Sequence, residues 1–287
     1  MAPDPAAPGR DLPHHDIVPD GLDAALVFLR HGESEWVAEG RFQGQGDPGL
    51  TDLGHRQAAL AAARLADPHR IPALPVPGGR PTAIVHSPLR RAAATARSVA
   101  DAIAALPDPA PGAADPALRA DPGFLEIGQG EWEGRRSSEI AERWPEVLAG
   151  WRRDPLTTWA PGGESLAAVD ARVRASLRTI LEELGRGRPP GTIQRSQVLG
   201  YAEHGGGEPW TIVVAHDGVF KVALLALLDV PLARFWSFPF ALCGITVVEF
   251  KGGRPRLRVH NGTDHLADLE DEAAREREAA RAASGAL

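Results

Sequence analysis

Three short apolar runs lead into residues that could do chemistry together. AALVFL, from Ala24, opens into Arg30, His31 and Gly32; TAIVHS, at 82–87, opens into Pro88, Leu89, Arg90 and Arg91; TIVVAH, at 211–216, ends on His216 with Asp217 beyond it. One histidine at the end of one strand is ordinarily a satisfied polar residue. Two histidines and several arginines at one edge suit phosphoryl transfer. A neutral imidazole can attack phosphorus. A guanidinium is a planar donor fork that matches phosphate oxygens and stabilises charge on the transferring group. Gly32 would let a backbone amide approach the anion with no side chain in the way.

The elements that would position these residues are legible in outline. The three runs, together with ITVVEF at 245–250, read as strands buried on both faces. Between them lie Ala-, Leu- and Arg-rich segments with helical spacing, at roughly 52–66, 88–105, 137–149, 165–184 and 217–228. Strands alternating with helices predict an α/β protein, a three-layer α/β/α sandwich around a mostly parallel sheet. Such sheets bind ligands outside the carboxyl ends of their strands, where the histidines and arginines fall. Residues 67–81 and 106–123 are rich in Pro and Gly and read as surface connections, and 185–209 as a Gly-rich insertion. Residues 1–23, with His14 and His15, read as a disordered tail, 24–266 as one domain, and 267–287 as a charged terminal helix.

Composition removes several functions. The chain has 287 residues, 43% hydrophobic, and a formal net charge of −7, which argues against nucleic acid as partner. Cys243 is the one cysteine, so an intrachain disulfide and a Cys-rich zinc site are excluded. The longest apolar stretch, around Val219–Leu228, is interrupted at Lys221 and Asp229 and is too short to cross a membrane. No apolar leader core opens the chain, and the expected address is the cytoplasm.

Longer motifs carry a resemblance. RHGESEWVAEGRFQGQGDPGLTDLGHRQA from Arg30, SPLRRAAATA at 87–96, FLEIGQGEWEG at 124–134, PGGES at 161–165 and VVAHDG at 213–218 follow one another in the order and spacing of the histidine phosphatase superfamily, phosphoglycerate mutase-like branch. The likeness runs from about Ala24 to about Leu266. It implies His31 as nucleophile, and Arg30, Arg91 and His216 as holders of the phosphoryl oxygens, the pocket arginine being the one directly before Ala in RAAATA. It implies Glu126 as the acid that protonates the leaving alkoxide and later activates water. It implies a cap at about 124–162. No cofactor and no metal are expected, because arginines supply the positive charge.

Several residues keep two readings. Glu33 is a partner of the nucleophile loop or a direct participant. Glu164 starts the following helix or touches substrate. His86 is a core histidine or a pocket neighbour. Trp132, Trp144, Trp151 and Trp159 wall the pocket or pack the cap. Glu131 and Glu133 are the alternative acids. His55, His69 and His204 read as surface residues, and Asn261 to Leu266 as a structural terminal strand.

Two positions depart from the family's pattern. Val37 stands where Asn usually helps hold phosphate, which leaves Ser34 or Gln43 to replace that donor. Asp217 stands where Gly is common, and a carboxylate beside a phosphate is repulsive unless turned away or used for a substrate hydroxyl.

The chain lacks the ERHYG-type run and the lysine by which phosphoglycerate mutases resemble one another; EIGQG, Glu126 to Gly130, takes the place of the first and Ser137 falls near the second. Arg152 and Arg153 echo a pair that mutases use for a substrate carboxylate, and either bind an anionic substrate or cap a helix. A phosphatase acting on a small phosphate ester is therefore expected, with a mutase or a non-catalytic phosphate-ester binder as alternatives. A homodimer is left open.

Overall fold

The computed structural model describes residues 16–107, 115–186, 194–195, 202–203, 207–273 and 275. Eight strands are named in it: β1 Ala24–Arg30, β2 Ala83–His86, β3 Ala117–Ala120, β4 Gln194–Arg195, β5 Ala202–Glu203, β6 Trp210–Ala215, β7 Ile245–Lys251 and β8 Arg254–Gly262. Seven α-helices accompany them: α1 Glu35–Ala38, α2 Asp52–Ala66, α3 Arg90–Ala104, α4 Ser137–Arg143, α5 Pro145–Arg153, α6 Leu166–Arg186 and α7 Asp217–Leu227. Six strands form one sheet in the order β3-β2-β6-β1-β7-β8. β3, β2, β6 and β1 run parallel, while β7 is antiparallel to β1 and β8 to β7.

The period of two along β1 shows why the sheet needs helices on both faces. Ala25, Val27 and Leu29 pack with Ala58, Ala62 and Leu65 of α2 and Ala96, Val99 and Ile103 of α3. Ala24, Leu26 and Phe28 pack with Val173 and Leu177 of α6 and with Phe220 and Leu224 of α7. β1 and β6 lie side by side at the centre and β2 flanks β6, so three carboxyl ends meet at one edge. His31 N–H donates to Ala215 O at 3.0 Å, and Ser87 N–H to Val214 O at 2.9 Å, so the ladder continues into the functional residues.

Five expectations change. Residues 16–23 are not loose: Ile17, Val18 and Leu22 are buried in the α6-side core, because that face of the sheet needs cover beyond α6 and α7. Residues 1–15, with His14 and His15, lie outside the described residues. The stretch 106–123 holds a strand, β3, whose ALRA sequence lacks the β-branched residues that mark one. The single helix expected over 137–149 is two, broken where Pro145 cannot donate to the preceding turn. The terminal strand read at Asn261 to Leu266 lies earlier: β8, rich in arginine, runs from Arg254 to Gly262, and Asp264–Leu266 is a 3₁₀ turn. Of the 185–209 insertion, residues 185–186 complete α6 and β4 pairs antiparallel with β5; His204 lies outside the described residues. Residues 267–273 are helical, and the rest of the expected terminal helix, apart from residue 275, lies outside them.

Candidate active site

His31 follows β1 and His216 follows β6, and neighbouring strands bring their ring centroids to 5.0 Å. Both are buried. His31 Nδ1 lies 2.6 Å from Gly32 O. A carbonyl only accepts, so Nδ1 carries the proton and Nε2 keeps its lone pair. Burial holds the His31 pKa well below the ordinary histidine value; the positive charges of Arg91 and then Arg30 push the same way, against the Gly32 hydrogen bond. His216 is lowered likewise, by burial first and then by Arg91, His31 and Arg30. Two neutral imidazoles therefore stand in a positive field.

Arg91 is fully buried in the first turn of α3, whereas Arg90 is exposed and its N–H donates to Asp47 Oδ1. Burial lowers the Arg91 pKa to about 10, and the charges of Glu126 and Asp47 act against that. Its Nη1 and Nη2 donate to the carbonyls of Gly46 and Gly44 at 2.7 and 2.9 Å, tying the 43–46 loop to the site. Arg30 Nη1 donates to Phe240 O at 2.5 Å. Among the described residues, three buried donors of this cluster have no hydrogen-bond partner: Arg30 Nε, Arg91 Nε and His216 Nδ1. Unsatisfied buried donors are costly unless something completes them. A group rich in acceptor oxygens and negative charge would do so.

Glu126 stands in the loop after the 3₁₀ turn Pro122–Phe124. Its carboxylate accepts from Ile127 N at 2.9 Å and, at the start of α7, from Gly218 N at 3.1 Å and Val219 N at 3.0 Å. A side chain at Gly218 would strike Glu126 Oε1 at 2.6 Å, which explains the glycine. The loop is held by Arg172 on α6, which sequence reasoning missed. Arg172 Nη1 donates to Gly123 O and Leu125 O, Nη2 donates to Glu126 O, and the guanidinium pairs with Glu164. Glu164 also accepts from Gly128 N and Gln45 Nε2. It is a loop tie and does not start α6.

Other expected positions resolve as follows. Gly32 N–H donates to Thr95 Oγ1 at 3.2 Å, so its amide is already engaged; the glycine is needed because a Cβ would lie 2.4 Å from Gly54 O. Ser34 caps α1 and donates to Gln43 Oε1 at 2.6 Å, which leaves the Gln43 amino group as the remaining donor of the pair. Asp217 is turned away: Oδ2 meets Lys221 Nζ at 2.5 Å and Oδ1 accepts from Phe240 N at 3.1 Å. Arg152 and Arg153 are exposed in the last turn of α5, where cations complement the helix dipole. Glu33 accepts from Thr51 Oγ1. Glu133 accepts from the amides of Gln45 and Gln129, and exposed Glu131 lies 3.7 Å from Arg143. Half-buried His86 Nδ1 donates to Ser87 O. Trp132 and Trp151 are buried in the core cluster on the α6 and α7 side of the sheet and Trp144 stacks under Arg143, while Trp159 is exposed.

Sequence reasoning also missed Ser87. It sits beside the histidines at a strand end, a position that could have marked it, and its Oγ lies 2.8 Å from His216 Nε2. Leu89 N–H donates to the same hydroxyl. That fits a hydroxyl proton directed to Nε2 and an imidazole proton on Nδ1, the orphaned donor. Among the described residues no group of three or more His, Cys, Asp or Glu could hold a metal ion, and no helix is long and apolar enough to cross a membrane.

Comparison with known proteins agrees with this geometry. A family profile described as histidine phosphatase superfamily (branch 1) matches residues 26–188 and 196–263. Phosphoserine phosphatase 1 of Hydrogenobacter thermophilus is 30% identical over 248 residues, 86% of this chain and 97% of that protein. A bifunctional protein of Mycobacterium tuberculosis is 31% identical over 247 residues, which span 86% of this chain but 56% of that longer protein. The structure of a mycobacterial glucosyl-3-phosphoglycerate phosphatase in complex with VO3 superposes with a TM-score of 0.64 at 28% identity, covering 84% of this chain and 100% of that one.

Proposed function

The chain belongs to branch 1 of the histidine phosphatase superfamily, and from that premise we propose that it hydrolyses small organic phosphate monoesters through a phosphohistidine on His31. The observation that carries this reading is the set of orphaned donors, Arg30 Nε, Arg91 Nε and His216 Nδ1, gathered about a neutral imidazole whose Nε2 is free. A phosphoryl group satisfies all three donors and presents phosphorus to the nucleophile.

In the first step the Nε2 lone pair attacks phosphorus, the N–P bond forms and the P–O ester bond breaks. The protonated Glu126 carboxyl delivers its proton to the departing alkoxide. In the second step Glu126 takes a proton from water and the hydroxide attacks phosphorus. The N–P bond then breaks, releasing inorganic phosphate and the neutral imidazole. The arginines and His216 hold the equatorial oxygens through both steps, where most of the stabilisation lies.

Relatives named for phosphoserine and glucosyl-3-phosphoglycerate both point to phosphate esters that carry a carboxylate, and these join sugar phosphates as first candidates. The test is release of inorganic phosphate from such a panel, with acid-quench trapping of the phosphoenzyme. His31→Ala should lose at least about 10³-fold in turnover and all trapped label. Near-normal turnover in that variant would remove the nucleophile assignment.

A further inference from the structure

Asp217 and Lys221 are not needed by the chemistry above, yet they form a charged pair beside the site. Lys221 lies on α7, every residue of which from Gly218 to Leu227 is buried. Its side chain is 7% exposed, and the ammonium lies 2.5 Å from Asp217 Oδ2 and 5.4 and 5.1 Å from the rings of Phe235 and Trp236. Removing a cation from water this far is costly without its carboxylate, so Lys221 and Asp217 hold each other in place. The second oxygen of Asp217 accepts from Phe240 N–H at 3.1 Å. The carbonyl of the same residue accepts from Arg30 Nη1 at 2.5 Å. Phe240 lies in an irregular stretch between the 3₁₀ segment Leu232–Ser237 and β7, outside any strand or helix.

We propose that Asp217, fixed by Lys221, is a positioning residue for Arg30: it anchors the Phe240 backbone, and Phe240 O sets the guanidinium that binds the phosphoryl group. The chain of contacts is continuous, from Lys221 Nζ to Asp217 Oδ2, Asp217 Oδ1 to Phe240 N, and Phe240 O to Arg30 Nη1. The pairing also accounts for a carboxylate directly after His216: its charge is directed to Lys221 and away from the anion. The inference rests on the phosphatase reading.

Two doubly substituted proteins test it. Lys221→Met with Asp217→Asn removes both charges and keeps an oxygen that can accept from Phe240 N–H. Lys221→Met with Asp217→Leu has the same net charge and similar volume but no acceptor. With both folded, as judged by thermal melting, orthovanadate should bind about tenfold more weakly to the Leu protein than to the Asn protein. KM for p-nitrophenyl phosphate should rise in parallel, with kcat differing less than about threefold. A purely structural defect would lower the melting temperature without this split. If the Leu protein does not fold, Asp217→Ala with Lys221→Met supplies the comparison. Orthovanadate affinities within twofold of each other would overturn the positioning role. If the wild-type protein bound no orthovanadate and released no phosphate from any monoester, the phosphatase reading would fall, and this inference with it.

Discussion

The two sides of the site are held by different means. On the phosphate side His31, Arg91 and His216 are buried, and so are Ser87, which bonds His216, and Thr95, which accepts from Gly32 N–H. They stand on strand ends and a helix start whose backbone bonds belong to the sheet and α3. On the acid side Glu126 is half-buried in a loop, held by Arg172 of α6 and by Glu164 just before that helix, whose side chains are 20% and 28% exposed. The first side must keep cations and neutral histidines in a fixed field around an anion, which suits a rigid, dry frame. In the reaction proposed above the second gives and takes a proton at the substrate's leaving end. Fixity on one side and a tethered loop on the other match a shared phosphate chemistry with variable leaving groups.

That contrast breaks first at Glu126. With Glu126→Gln the phosphate side stays intact while the proton is lost. Alkyl phosphates should slow by about 10²–10⁴-fold, and p-nitrophenyl phosphate much less, because a good leaving group departs as an anion. The phosphoenzyme should also persist longer after acid quench, since the same carboxylate activates water. An equal loss on both ester types would place Glu126 in binding or structure instead.

Arg172→Ala asks whether the loop tether matters apart from the acid. It removes donors from the carbonyls of Gly123, Leu125 and Glu126 but touches no phosphate-side donor bond. Turnover of alkyl phosphates should fall by about 10²-fold through misplacement of the acid. Orthovanadate affinity should change less than about threefold, since Arg172 holds no phosphate-side hydrogen bond. A matching loss of orthovanadate affinity would show that the two sides are one unit.

The same division governs what could be read from the chain. Strand ends announce themselves, because buried parallel strands are continuous apolar runs, and the residues just past them were legible as a cluster. Arg91 was separable from Arg90 only through the family's pattern; the structure supplies the reason, since α3 turns one arginine inward and the other to solvent. Gly32 was misread because nothing local shows that the Gly54 backbone packs against it. Arg172 left no signal: the carbonyls it donates to lie 46 to 49 residues away, and within α6 it looks like any arginine of an amphipathic helix. Ile17 and Val18 were lost among Pro and Asp, although two apolar side chains suffice to dock a segment on an open core face. Asp217 was legible as a problem, and its answer needed Lys221 one helical turn on.

The smallest expected effect concerns acid stability and bears on the phosphate side. His31 and His216 are neutral in the folded protein, with pKa values well below that of a free histidine. In the unfolded chain both take up protons near the ordinary value of about 6.5. Below that pH the unfolded state therefore binds more protons, so stability falls as pH falls and is fully present only above it. Each such histidine contributes a slope of up to about 1.4 kcal/mol per pH unit between the unfolded and folded values. Urea unfolding of wild type from pH 7.5 to 5.5 should show this decline. His216→Gln should flatten it by up to about 1.4 kcal/mol per pH unit, whatever its offset at pH 7.5. His260 and His265, also lowered by burial, titrate in both proteins and cancel in the comparison. An unchanged slope would mean that His216 accepts a proton in the folded state. The dry, positive frame described for the phosphate side would then be wrong at that residue, and the contrast with the acid side would shrink to a difference in tethering.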